Sequence, residues 1–182
     1  MNDNEENDDE ENDDEENDNE EDVSVKTNFE GQAKVRGDAF DNYAADDVVK
    51  TCGQIVFTTP VVTQPKCRFK IVGQLIVPEG SEKTLAPAIM KMSGQMIYYP
   101  DGVQPRIVMG KETFGQAFFQ AMTEREVLIN LGHTCLAADV QGQIIRERIH
   151  SIINLGVIKC SKALLPVVQV LCRDNLGRIE AE

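Results

Sequence analysis

Three copies of one pattern dominate the middle of the chain: Lys50-Thr-Cys-Gly-Gln-Ile-Val-Phe57, Lys70-Ile-Val-Gly-Gln-Leu-Ile-Val77 and Lys91-Met-Ser-Gly-Gln-Met-Ile-Tyr98. Each reads Lys-x-x-Gly-Gln followed by three apolar residues, at spacings of 20 and 21. Gly-Gln also occurs at Gly31, Gly115 and Gly142, so six of 13 glycines precede a glutamine, where random order gives about one. Recurrence on this scale points to internal architectural repetition rather than to chemistry.

The copies are strand-like. Cys52 to Val62 and Cys67 to Val77 are rich in Ile, Val, Phe and Thr, and the break at Thr63-Gln64-Pro65 reads as a hairpin connection. Pro78-Glu79-Gly80 and Pro100-Asp101-Gly102 close the second and third copies as turns, with Pro presetting φ and Gly supplying the left-handed position. A glycine inside a strand marks a bulge or a close backbone approach. The expectation is therefore a bent antiparallel sheet. The alternative is a solenoid with coils of about 21 residues and the glutamines stacked into a ladder; against it, the period fails after Gly115 and the copies share no second half.

The second half changes character. Phe114, Ala117, Phe118, Ala121 and Met122 share a helical stripe, opened by a capping box of Thr113 and Gln116. Thr123 and Glu126 offer a second box, extending the helical reading to near Gly132 as one bent helix or two short ones. A further helix is expected from Val140, capped by Asp139, with Ile145, Ile149, Ile152 and Ile153 inside. Both helices finish in Ile-Asn-Leu-Gly, at Gly132 and Gly156, read as left-handed glycine caps. Strands are expected at His133 to Ala138, Val157 to Cys160 and Leu164 to Cys172. The predicted fold is thus α+β: a mostly antiparallel β-sheet with two helices in the C-terminal half, behind a disordered acidic N-terminal tail.

That tail is four pentapeptides of Asn, Asp and Glu. Residues 1 to 22 hold 15 of the 31 acidic residues and no basic one, which leaves the other 160 residues with a formal charge of +2. Such a segment has nothing to bury and is expected to stay expanded. The domain reading is an acidic tail over 1–22, an extended arm over 23–49 that supplies one strand, and a single globular domain over 50–182. No apolar run approaches the roughly 20 residues a bilayer requires and no secretion signal is visible, so a cytoplasmic or nuclear location is expected, without membrane contact. The match of Arg36-Gly37-Asp38 to an adhesion tripeptide is taken as chance. The five cysteines are an odd number without C-x-x-C spacing, which predicts reduced, buried, structural thiols.

Enzyme signals are thin. The two histidines, His133 and His150, sit in no catalytic or metal spacing; His133-Thr-Cys135 with Cys160 or Cys172 is the best zinc arrangement available, and it lacks paired C-x₂₋₄-C ligands. Phosphate-cradling glycine motifs are absent from the sequence. The expectation is a non-enzymatic interaction or assembly protein without cofactor. Its acidic tail tunes solubility or engages a basic protein, and its body self-associates or docks a partner through its sheet. The alternative is a single-stranded nucleic-acid-binding protein, masked by that tail, in which Lys50, Arg68, Lys70 and Lys91 follow phosphates while Tyr98 and Tyr99 stack on bases. Phe69, between Arg68 and Lys70, faces away from both in a strand.

Overall fold

A computed structural model describes residues 25–181; the acidic pentapeptides lie outside them. Each Gly-Gln copy is a long strand. Together β1 (Val25–Val35), β2 (Val48–Phe57), β3 (Arg68–Pro78) and β4 (Ile89–Tyr99) form a first sheet in that order, every neighbour parallel. The chain returns between strands through 35–48, through 57–68 and through a short helix α1 (Glu82–Leu85) with a 3₁₀ turn at Ala86–Ala88.

The C-terminal half repeats a coil of strand, corner, strand and helix. One sheet holds β5 (Gln104–Val108), β7 (Glu126–Asn130), β9 (Ile149–Asn154) and β11 (Cys172–Asn175); another holds β6 (Lys111–Phe114), β8 (His133–Leu136), β10 (Val157–Cys160) and β12 (Arg178–Ala181). Helices α2 (Gln116–Ala121), α3 (Gly142–Arg148) and α4 (Leu165–Leu171) bridge successive coils. All pairings are again parallel.

The antiparallel expectation is therefore wrong, and the repeat itself contains the reason. A motif recurring at constant offset superimposes on itself only when strands run the same way. Gly31, Gly53, Gly73 and Gly94 fall in one register, with Gln32, Gln54, Gln74 and Gln95 in the next. The break at Thr63-Gln64-Pro65 that reads as a hairpin lies within a connection of about ten residues, which carries the chain back across the sheet to a parallel neighbour. Stacking is so close that a Cβ on Gly53, Gly73 or Gly94 meets the carbonyl oxygen of the preceding glycine at 2.1, 1.9 and 1.7 Å. Glutamine amides then bond along the column, Gln32 Nε2 to Gln54 Oε1 and Gln54 Nε2 to Gln74 Oε1, both at 3.0 Å.

Helix boundaries also moved. The stripe from Phe114 to Met122 does contain α2, but Thr113 belongs to β6 and Gly115 is the N-cap. Val127–Asn130 and Ile149–Asn154, read as helix, are strands, while the strand expected from Leu164 is mostly α4. Gly132 and Gly156 are strand-to-strand corners, not helix stops. Asp139 accepts from the backbone N–H of Gln116, and Gln116 Oε1 accepts from the N–H of Gln141, so each coil caps its neighbour.

Three apolar layers hold the molecule. The first lies inside the N-terminal stack, around Phe40, Ile55, Phe57, Phe69, Ile71 and Leu75. Another fills the C-terminal coils around Phe119, Leu128, Ile145, Ile152 and Val168. Between them the first sheet lies face to face with the β5–β11 sheet, Val56, Ile76, Ile97 and Tyr99 packing against Val127, Ile129 and Ile153. Both sheets thus bury side chains on both faces, the usual condition of parallel sheets.

Candidate functional site

Alternation along β2 and β3 decides what the outer face of the first sheet shows. Val49, Ile55, Phe57, Phe69, Ile71 and Leu75 point into the N-terminal core. Residues of opposite parity point outward, and they change character along the strand. Val56, Ile76 and Ile97 sit under the second sheet, the glutamine ladder comes next, and the N-terminal ends of the strands emerge into solvent.

On that open end Lys50, Lys70 and Lys91 share one register, each on the strand beside the last. Strand spacing sets the rows about 4.8 Å apart. Arg68, two residues before Lys70, lies on the same face and is exposed. Like charges in register repel, so an anion laid along the column relieves the strain of its own binding site. Cys52, Val72 and Ser93 form the neighbouring exposed row, with Val72 58% exposed. The four predicted cations are thus brought together.

The two predicted tyrosines are not brought to them. Tyr99 is 1% exposed and its hydroxyl donates to the Phe57 carbonyl at 2.6 Å. Burial, with help from the Asp101 carboxylate, pushes that phenol up to about 12. Tyr98 belongs to the inner face of β4, packs against the first core and points its hydroxyl at the Met96 sulfur; burial first and Glu82 second raise its pKa. Phe57 and Phe69 are fully buried. Each ring the sequence offered for base stacking is committed elsewhere, because the long strands need large side chains on two faces.

A groove of about 680 Å³ runs along the free edge of β4, where the two packed sheets part. Ile97, Ile153, Leu155 and Leu176 supply apolar floor, and Glu82 and Asp174 supply charge. Glu79, on the same rim, is paired with Arg173 at 2.6 Å. A second in-register column went unread in the sequence: Asn130 Nδ2 bonds Asn154 Oδ1 at 2.7 Å and Asn154 Nδ2 bonds Asn175 Oδ1 at 2.8 Å. Its signal was present as Asn-Leu-Gly at Asn130, Asn154 and Asn175, the first two disguised as helix caps.

None of the five cysteines is in a disulfide; Cys67 and Cys160 are buried as expected, whereas Cys52 is exposed and Cys135 and Cys172 are half-buried. Burial, then Asp174, raises the Cys172 thiol despite a backbone hydrogen bond from Asn154 that lowers it. Among the described residues no group of three or more His, Cys, Asp or Glu is arranged to hold a metal ion, and no helix is long and apolar enough to cross a membrane. Comparisons with protein-family models, with curated proteins and with solved structures found no match for the chain.

Proposed function

We propose that the chain is a non-enzymatic interaction or assembly protein of the cytosol or nucleus: a stiff stack of parallel strands that displays repeated side-chain columns, with an acidic segment ahead of it that engages basic partners. The observation that carries this reading is the register. Lysine, glutamine and glycine each recur on three or four adjacent strands at one position, which makes a surface periodic in one direction and suits an extended or repeating partner better than a small substrate. The charge division supports the second part, 15 carboxylates and no cation before Val23 against a body of +2.

Anisotropy of a labelled lysine-rich peptide tests it, with full-length protein and with a chain beginning at Val23, across a salt series. Full-length protein is expected to bind at low salt and release the peptide as salt rises, while the shortened chain binds at least tenfold more weakly, on the order of 1.4 kcal/mol or more. Equal binding by both chains removes the role of the acidic segment; binding by neither removes the reading.

The lysine column favours a second reading, in which the open face holds a single-stranded nucleic acid by its phosphates. Without stacking rings that binding is weak, sequence-indifferent and steeply salt-dependent. Lys70→Ala, at the centre of the column, is expected to weaken oligonucleotide binding several-fold in the chain that begins at Val23. An unchanged isotherm for Lys70→Ala rules this face out.

A further inference from the structure

The two packed sheets are offset, and the offset is complementary at its two ends. Residues of β2, β3 and β4 enter the layer between the sheets, but none of β1 does; β5, β7 and β9 contribute, but β11 does not. On β1, Lys34 occupies the register of Val56 yet is exposed, so the second sheet stops short of it. On the opposite side β11 reaches past the edge of β4 and walls the groove there, with Leu176 75% exposed. One end of the molecule thus carries a projecting strand of the first sheet, β1, and the other carries a projecting strand of the second, β11.

Among the described residues β1 and β4 are the edge strands of the first sheet, each presenting unpaired backbone to a further strand. What β4 accepts is restricted by glycine geometry. Every strand already stacked on a Gly-Gln strand carries a glycine at that register, because a Cβ there meets the preceding carbonyl oxygen at 2.1 Å or less. A strand added to β4 in the same manner needs a glycine over Gly94. It also extends the amide ladder if glutamine follows over Gln95.

We infer that β4 takes up β1 of a second copy of this chain, in parallel and in register, so that copies join head to tail through a continuous first sheet. This deepens the proposed assembly role by naming its partner. Gly31 then lies over Gly94 and Gln32 over Gln95. In a single copy a Cβ at Gly31 meets nothing within 4 Å, so only its left-handed φ of 79° favours glycine there; the joined copy would add the Gly94 carbonyl as a second constraint. Lys34 falls over Ile97, at the mouth of the groove, beside Glu82 and Asp174. Glu30 falls over Ser93, diagonal to Lys91. The contact joins two different surfaces, so its repetition builds an open series rather than a closed pair.

Sedimentation of the full-length chain from about 1 to 200 μM, at low and high salt, tests the inference with four variants. The wild-type mass is expected to climb with concentration past that of a dimer. Gly31→Ala should raise the apparent Kd for association more than tenfold, whereas Gly102→Ala, with a matching φ of 76° and open space around its Cβ, should leave it unchanged. Lys34→Glu should weaken association and Glu82→Lys in the same chain should restore it; this charge exchange decides the matter if Gly31→Ala melts early. A wild-type chain that stays monomeric, forms only a discrete dimer, or associates equally with Gly31→Ala overturns the inference. A monomer that still binds the lysine-rich peptide removes this contact and leaves the proposed interaction role standing; assembly without peptide binding does the reverse.

Discussion

Gly73 and Gly80 both hold a positive φ, 130° and 91°, yet alanine will cost them very differently. At Gly80 the added methyl meets open space, so the penalty is the left-handed strain alone, about 1–2 kcal/mol. At Gly73 it meets the Gly53 carbonyl oxygen at 1.9 Å, and neither backbone has room to yield within a stack bonded on both sides. Gly73→Ala should therefore lower stability by roughly 3 kcal/mol or more, read as the shift in urea midpoint relative to Gly80→Ala. Tyr99 yields a second prediction. Its phenol is held at about 12 in the folded protein against an ordinary 10.0. Between those values the unfolded chain releases the proton while the native state keeps it, so the stabilisation is whole below pH 10.0 and is lost as pH rises through about 12. Thermal melts of wild type should decline more steeply over that window than those of Tyr99→Phe; parallel curves would refute the linkage. The sequence marked both glycines as special, but only the stacked one needed the three-dimensional neighbour to show why.

At the scale of elements, the asparagine column explains how short strands that end in a polar side chain hold together at their corners. Asn154 is fully buried, accepts from Asn130, and donates to Asn175 and to the Arg178 carbonyl. Thr134 closes the column by donating to Asn130 Oδ1. Asn154→Leu removes the fully buried amide at the middle of the column, leaving Asn130 Nδ2 only the Val157 carbonyl as acceptor, and should cost roughly 1–3 kcal/mol, measured by denaturant unfolding. Gln32→Leu, at the exposed start of the glutamine ladder, should cost under about 1 kcal/mol. The same elements show where sequence reading failed. Val127 and Ile129 pack between the sheets while Leu128 packs in the C-terminal core. With both faces buried the alternation that identifies a strand disappears, and a run such as Val127-Leu-Ile-Asn130 imitates a helix stripe. β8 and β10 kept their strand character, and α2 its helical stripe, because each has one wet face. The lysine column was legible for the opposite reason, since it lies where alternation survives.

Charge acts on the molecule as a whole, and it opposes the contact that the strand edges favour. Each full-length copy carries a formal −13, the segment ahead of Val23 contributing 15 negative charges against a body of +2. Every copy added to a head-to-tail series therefore brings the same large negative charge with it. Copies of a chain beginning at Val23 carry +2 instead. Repulsion between like-charged copies is screened within about 10 Å at 0.1 M salt and reaches farther below that. The shortened chain should therefore associate at lower concentration than the full chain in dilute buffer, and the two concentrations should converge as salt rises. Sedimentation at low and high salt reads both. If removing the segment lowers association instead, the acidic residues are part of the contact rather than a brake on it, and the junction would have to involve a basic surface such as the Lys50–Lys70–Lys91 column. Convergence with salt and a persistent effect of Gly31→Ala in the shortened chain would together place the association energy in the backbone and glycine register, with charge setting only the concentration at which it is expressed.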